Sequence, residues 1–370
     1  MTDFKSLGVL PAIIQALNEQ NIKQPTPIQE KTIPILLKTP TDFVGQAPTG
    51  TGKTDAYAIP LIQLIDVAVE QPQALIIAPT RELCQQLAKQ IFKLTKFTDK
   101  IFIEKVIGGV PLDLQIRNLS RPTHIVVATP GRLLELINKN IIDLDVVKAV
   151  VLDEADEIIN MGFKQELDQI LQVTNQKAFT WTFSATYPED LNQMVKKYLA
   201  KDFKRVNIAP KSLLNPNILN QYFLCEQDEK WDFICDFIEM HSKIKGIIFC
   251  RSQYQVTDLV KFLAEKGIKV GEMHGDLMQH ERERAIRMFR TGKIQVMVST
   301  DISSRGLDID DIGYVIHENV PDSLESYIHR SGRTARGLKR GIAISFVSRS
   351  EFGKIKKIQS MLQMKFNKVN

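Results

Sequence analysis

Ala149-Val150-Val151-Leu152-Asp153-Glu154-Ala155-Asp156 decides the fold. The apolar run reads as a buried strand, and it ends in three acids within four positions. In an open parallel sheet, ligands sit beyond the carboxyl ends of the strands, so these acids stand where such a protein does its chemistry. Two adjacent carboxylates suit a division of labour: one holds a metal ion, the other orients or deprotonates a water. The bland alternative is that residues 153–157 only cap the helix that follows, since acids favour a helix N-terminus.

Working outward, short apolar runs alternate with amphipathic helical patterns. Strands are expected at Asp42–Gly45, Ala74–Ala78, His124–Ala128, Ala149–Leu152 and Phe179–Ser184. Between them Leu83, Leu87, Ile91 and Leu94 recur at helical spacing. Around 207–217 the pattern lapses into a stretch rich in proline and asparagine, which reads as a linker. Alternation then resumes with Gly246–Cys250, Lys269–Met273, Ile294–Thr300, Tyr314–His317 and Gly341–Val347, and with Val256, Leu259, Val260 and Leu263 on an intervening helix. Such strand–helix alternation argues for an α/β protein of two doubly wound parallel-sheet domains joined by a short linker. The expected limits are 1–208, a linker at 209–216, and 217–370.

Bulk properties agree with two domains. The 370 residues exceed what one core usually supports, and 44% hydrophobic with 25% charged residues is an ordinary globular balance. No apolar run reaches the roughly 18 residues needed to span a bilayer, and the N-terminus has no export pattern. Cys84, Cys225, Cys235 and Cys250 form no C-x-x-C pair, so they read as buried thiols in a reducing, cytoplasmic setting. No membrane association is expected. Residues 1–208 hold 23 basic and 23 acidic side chains, so the whole net charge of +5 falls in the second half. That is compatible with a polyanion partner.

Ala47-Pro48-Thr49-Gly50-Thr51-Gly52-Lys53-Thr54 follows an expected strand and opens a helix. Its glycines let backbone N–H groups curl around phosphate oxygens. Lys53 can reach the β- and γ-phosphates, and the Thr54 hydroxyl can ligate Mg²⁺. Ala47 stands where the strict pattern asks for Gly. With the acids downstream this is an NTP site, in which Asp153 holds the Mg²⁺ and Glu154 positions the attacking water.

Taken together, Asp153-Glu154-Ala155-Asp156 and the phosphate loop resemble the DEAD-box RNA helicases of helicase superfamily 2, and further segments fall in that family's order from Phe4 to Arg336. The resemblance implies two RecA-like domains that bind ATP. Gln24-Pro25-Thr26-Pro27-Ile28-Gln29 is similar to the family's Q motif, which implies that Gln29 reads the adenine edge and Phe4 stacks on the ring. Without context, Phe4 reads better as a core residue of the first helix. Asn21-Ile22 replaces the usual Gly-Phe before this motif. Pro79-Thr80-Arg81, Gly108-Gly109 and Thr129-Pro130-Gly131-Arg132 are similar to the RNA-contacting motifs of the first lobe. Each sits where a strand gives way to a helix, and N-terminal N–H groups plus an arginine suit a phosphodiester backbone there. Ser184-Ala185-Thr186 resembles the segment linking hydrolysis to strand opening, with Ser184 and Thr186 expected to bridge Asp156 to the second lobe.

The second half has no phosphate loop of its own, so it is expected to complete the site. In His329-Arg330-Ser331-Gly332-Arg333-Thr334-Ala335-Arg336, the resemblance makes Arg333 and Arg336 arginine fingers, and His329 and Arg330 coupling residues. Their spacing would put the two fingers on one helical face; the bland reading is a solvated basic helix. The family more often has Ile and Gly where Ser331 and Ala335 stand. Thr300 and Asp308 match an RNA-backbone contact and a ribose contact. Arg251 stands at a strand exit, and Gln279 and Arg282 follow His274-Gly275-Asp276, a segment resembling one that grips RNA.

The expected function is therefore an ATP- and Mg²⁺-dependent RNA helicase, working as a monomer, that opens short duplexes or remodels RNA–protein complexes. Two rivals use the same residues: an ATP-gated RNA clamp with little strand separation, and an ATPase motor acting on DNA or protein.

Overall fold

The computed structural model describes residues 2–39, 41–48, 50–208, 214–301, 312–335 and 339–369. The chain divides into two compact units, Met1–Ala209 and Pro210–Asn370.

The first unit holds strands β1 (Phe43–Gln46), β2 (Ala74–Ile77), β3 (Ile103–Val106), β4 (Ile125–Ala128), β5 (Ala149–Asp153), β6 (Phe179–Ser184) and β7 (Lys204–Asn207). They form one sheet in the order β3-β4-β2-β5-β6-β1-β7, with every pairing parallel. The second unit holds β8 (Ile218–Leu224), β9 (Lys245–Phe249), β10 (Val270–Met273), β11 (Val296–Ser299), β12 (Ile312–His317), β13 (Gly341–Val347) and β14 (Asn367–Val369). Their order is β10-β11-β9-β12-β13-β8-β14, again all parallel.

Both faces of each sheet are covered, which is why the central strands read as unbroken apolar runs rather than alternating ones. On β2 and β5, Ala74, Ile76, Ala149 and Val151 join one core, while Leu75, Ile77, Val150 and Leu152 join the core on the opposite face. In the second unit Ile248 and Ile316 face one core and Ile247, Phe249 and Val315 the other. The doubly wound expectation is met in both units.

The strands absent from the sequence reading are β3, β7, β8 and β14, and three of them are sheet edges. Edge strands bury little and keep polar side chains: Lys204, Arg205 and Asn207 on β7 are exposed. The helix Arg81–Leu94 buries Leu83, Leu87, Ile91 and Leu94 as their spacing predicts. The helix Pro11–Glu19 ends before Asn21, which adopts φ 59°. Asparagine tolerates this left-handed conformation better than most residues, so the departure from glycine here preserves the turn.

Candidate functional site

The topology sorts the motifs of the first unit along one edge of its sheet. The phosphate loop follows β1, Ser184 ends β6, and the acids end β5; these three strands are adjacent. The Arg81 segment follows β2, Gly108-Gly109 follows β3, and Thr129–Arg132 follows β4. These three strands are also adjacent and continue from β5. One carboxyl edge thus carries two neighbouring sets of side chains.

In the phosphate loop Gly50 and Gly52 take φ of 75° and 88°. Lys53 is 7% exposed, and its Nζ donates to the Ala47 carbonyl at 2.8 Å. That ammonium is held across the loop, at the place where phosphate oxygens would compete for it. Thr51 Oγ1 donates to the Pro48 carbonyl at 2.7 Å. The helix Lys53–Gln63 begins at Gly52 without a side-chain cap, so its first N–H groups are available to an anion. Thr49 lies outside the described residues. Ala47 is fully buried and is not among the residues with positive φ, so its methyl is accommodated.

Gln29 is 2% exposed and tied into this loop. Its Oε1 accepts from the Thr26 N–H at 2.9 Å, and its Nε2 donates to the Gly52 carbonyl at 3.1 Å. A Cβ on Gly52 would stand 2.5 Å from Gln29 Nε2, in a backbone conformation that side chains rarely adopt. Gly52→Ala is accordingly expected to cost about 1–3 kcal/mol of stability and to weaken nucleotide binding, readable by thermal melts with and without nucleotide. Phe4 lies in a turn before the first helix rather than on it, and at 3% exposure it belongs to the core of the unit.

Asp153 is 3% exposed, with Oδ2 accepting from the Tyr57 hydroxyl at 2.8 Å and Oδ1 from the Glu154 N–H at 3.0 Å. Burial, then the neighbouring Glu154 charge, raises its pKa to about 6, against the opposing pull of Lys53. Thr54 stands one turn before Tyr57 on the same helix. A buried carboxylate ionised against its burial, with a hydroxyl nearby, is a hard oxygen set that fits Mg²⁺. Tyr57 was not singled out from the sequence. Its position, four residues after Lys53 and so on the same helix face, was the available signal.

Glu154 adopts φ 50° and ψ 50°. A non-glycine residue in this left-handed region costs roughly 1–2 kcal/mol, and such strain gathers at working sites. Asp156, 1% exposed, is a small knot. Its Oδ2 accepts from the Thr186 hydroxyl at 2.7 Å and the Thr186 N–H at 3.0 Å. Its Oδ1 accepts from the Glu157 N–H at 3.0 Å, and its own N–H donates to Ser184 Oγ at 3.3 Å. These bonds join the end of β5 to the end of β6 inside the first unit.

Beside this set, the Arg81 guanidinium lies across Gly108 and Gly109, where any side chain on either glycine would meet it. Thr80 caps its helix through Oγ1, which accepts from the Leu83 N–H at 3.2 Å. Pro130 opens the helix Pro130–Asn138, with Thr129 as its cap residue and Gly131 exposed. Arg132 is spent differently: it donates to the Val110 carbonyl at 2.8 Å and to Gln115 Oε1 at 2.9 Å, and pairs with Glu135 at 3.0 Å. It braces the loop after Gly109.

In the second unit Arg251, Gln279, Arg282 and Thr300 follow β9, β10 and β11, three adjacent strands. Arg251 is two-thirds exposed and pairs loosely with Asp322 at 3.4 Å. Gln279 donates to Glu283 at 3.1 Å, Arg282 is 9% exposed, and the Thr300 N–H donates to the Met273 carbonyl at 3.3 Å. Arg330 is buried at 4% exposure. It bonds both oxygens of Asp301, at 2.5 and 2.8 Å, donates to the Asn319 carbonyl at 3.1 Å and lies over the Phe249 ring. It pins its helix to the end of β11. His329 is 9% exposed on the same helix.

The single helical face expected for Arg333 and Arg336 is corrected by the structure. The helix Leu324–Ser331 ends at Gly332, and Arg333 lies in the turn beyond it. The cap residue Gly332 has φ −67°, and three residues later Ala335 takes φ 59°. That φ also explains why glycine suits the position of Ala335. Ser331 Oγ lies 3.3 Å from His317 Nε2, so the hydroxyl serves a buried polar contact. Arg336 and Asp308 lie outside the described residues.

The DEAD/DEAH box helicase family matches residues 26–194, and the helicase conserved C-terminal domain matches residues 229–337. The DEAD-box ATP-dependent RNA helicase CshA of Bacillus cereus is 36% identical over 370 residues, covering 100% of this chain and 70% of the relative. A probable ATP-dependent RNA helicase of Methanocaldococcus jannaschii is 37% identical over 367 residues, covering 99% and 98%. Among solved structures, S. cerevisiae Dbp5 bound to RNA and ADP BeF3 superposes with a TM-score of 0.93 at 28% identity, covering 100% of this chain and 96% of that one. Mss116p bound to ssRNA and AMP-PNP gives 0.89 at 28%, covering 100% and 80%. With two all-parallel RecA-like sheets, this motif order along one edge, and relatives matched over the full chain, the protein belongs to the DEAD-box helicases.

Proposed function

We propose that this chain is an ATP-dependent RNA helicase that opens short duplexes, or remodels RNA–protein complexes, through RNA-stimulated ATP hydrolysis. The observation that carries the reading is the shared carboxyl edge of the first sheet. The phosphate loop and acids stand on β1, β6 and β5, and the Arg81, Gly108-Gly109 and Thr129–Arg132 segments stand on the neighbouring β2, β3 and β4.

On this reading the N–H groups of the phosphate loop and Lys53 hold the triphosphate, Gln29 reads the adenine edge, and Glu154 orients the attacking water. Thr54 and Asp153 would hold Mg²⁺, which offsets phosphate charge when bound. Arg333 and Arg336 supply the positive charge that completes the transition state, an effect worth roughly 10³–10⁵ in rate for such fingers. Asp308 would meet the ribose. The Asp156–Thr186–Ser184 knot links the acids at the end of β5 to the end of β6, so a change at the γ-phosphate reaches the next strand directly. RNA contacts come from Arg81, the exposed loops around Gly108 and Gly131, Arg251 and Thr300, with Arg132 and Arg330 as positioning residues. Contacts to sugar and phosphate give little sequence preference.

The domain limits 1–208 and 217–370 with a connection at 209–216, a monomeric state and a cytoplasmic location belong to the same reading. All four cysteines are free and buried, in keeping with a reducing compartment, and among the described residues no helix is long and apolar enough to cross a membrane. An unwinding assay on a short RNA duplex tests the proposal: ATP-dependent strand release supports it. ATP-dependent binding without release would favour a clamp.

Asp153 gives a pH test. Its folded pKa of about 6 lies above the ordinary carboxylate value of 3.8. The protonated form therefore stabilises the nucleotide-free fold below pH 4, and that contribution is lost as pH rises through 6. Asp153→Asn is expected to melt higher than the parent at pH 7.5, with the gap closing toward pH 4.5. Melting curves of the two proteins across that range provide the check.

A further inference from the structure

The last 32 residues, 339–370, hold eight basic side chains against the single acid Glu351. That excess is larger than the net +5 of the whole chain, so the preceding 338 residues are slightly acidic in balance. Five of the eight lie on the last helix, on the edge strand or just before that strand, while Arg349 pairs with Glu226 at 2.8 Å. The helix Phe352–Leu362 buries Ile355, Ile358 and Leu362 and leaves Lys354, Lys356 and Lys357 exposed. The edge strand β14 and the residues before it add exposed Lys365 and Lys368. The neighbouring β8, Ile218–Leu224, carries no charged residue to neutralise them. Among the described residues Lys356, Lys357, Lys365 and Lys368 have no ion-pair partner, whereas Lys354 pairs with Asp322.

Asp322 also pairs with Arg251. Lys354 and Arg251 thus share one carboxylate, which sets the N-terminal turn of this helix beside an arginine proposed above to meet RNA. The surface is also firmly built, since Phe366 stacks on Tyr327 at 5.3 Å and the Tyr327 hydroxyl donates to Asn220 at 2.9 Å. Lysines on an edge strand also discourage strand-to-strand association. That accounts for Lys368 but not for the lysines of the helix.

We infer that this face is a second RNA-binding surface, which holds the phosphate backbone of a duplex arm flanking the strand bound at Arg251. The inference rests on the helicase reading and adds to it: the core would act on strands presented by adjacent structure, tethered here by charge alone. The partner chemistry is that of a polyanion, and RNA is favoured because the helix carrying these lysines starts beside Arg251.

The test combines Lys356→Glu, Lys357→Glu, Lys365→Glu and Lys368→Glu in one protein. The control carries Lys89→Glu, Lys139→Glu, Lys201→Glu and Lys261→Glu, an equal change in net charge at exposed sites elsewhere. Affinities are read by fluorescence anisotropy over a salt series for two RNAs: a short single strand, and the same strand carrying a hairpin. The expected result is at least about tenfold weaker binding of the hairpin RNA, with a salt dependence shallower by about 3 in log–log slope. Binding of the short strand, and the ATP hydrolysis it stimulates, should stay within about twofold. Equal loss for both RNAs, or no loss beyond the control, would overturn the inference. So would an unchanged hairpin affinity alongside lost binding to phosphatidylserine vesicles. Failure of the parent protein to hydrolyse ATP in response to any RNA would instead refute the helicase reading, so the two failures are separable.

Discussion

Glu154→Gln is expected to lower RNA-stimulated ATP turnover by about 10²–10⁴-fold, the range for removing a positioned general base, while nucleotide and RNA still bind. Glutamine keeps the shape of the side chain and loses only the proton-accepting carboxylate. The one bond that Glu154 makes to Asp153 runs through its backbone N–H and is untouched by the substitution. The left-handed backbone at this position sharpens the test. Asparagine tolerates φ near 50° better than glutamate, so Glu154→Asn should match or exceed the parent in melting temperature while losing as much activity. A protein that becomes no less stable as it loses turnover would show that strain is held here for function. Steady-state turnover and thermal melts of the two variants give the answer. Retention of more than about a tenth of the activity in both would remove Glu154 from the mechanism.

Arg330→Ala should be the most destabilising single change in the segment that follows β12. Removing one partner of a buried ion pair leaves the other charge uncompensated, typically at 3–5 kcal/mol. The Asp301 side chain is 31% exposed, so water recovers part of that cost, and about 2–3 kcal/mol is expected. For a unit of this size that is a fall in melting temperature of roughly 5–10 °C. Arg333→Ala changes a residue beyond the helix end and is expected to abolish stimulated hydrolysis. The two arginines stand three residues apart, one within the helix Leu324–Ser331 and one beyond its end. Arg330→Met with Asp301→Leu should recover much of the lost stability, because a buried pair replaced by apolar groups is often neutral. Calorimetry on the three proteins would measure the differences.

The central strands and the catalytic loops were legible in the sequence for one physical reason. A strand buried on both faces must be apolar throughout, and the polar residues at its carboxyl end then stand out sharply. Ala149–Asp153 and Phe179–Ser184 are of this kind. The strands Ile103–Val106 and Lys204–Asn207 were not legible, because at the sheet edge half of each faces water and charged residues interrupt the pattern. Spacing also misled at Arg333. Counting three residues to Arg336 assumed a continuous helix, yet the helix ends at Ser331, two residues before Arg333. Motif identity does not show what a side chain bonds within its own unit: Arg132, expected at RNA, bonds the Val110 carbonyl, and Arg330, expected to couple the lobes, bonds Asp301. Tyr57 was missed because a buried tyrosine on an apolar helix face looks like core until the carboxylate it holds is seen.

The most direct test of the account is steady-state ATP hydrolysis measured with no polymer, with single-stranded RNA and with single-stranded DNA. Low basal turnover, strong stimulation by RNA, little by DNA, and loss of the stimulated rate in Glu154→Gln are expected. Equally fast hydrolysis without any polymer would contradict it, because the β2–β4 half of the sheet edge would then have no part in completing the nucleotide site.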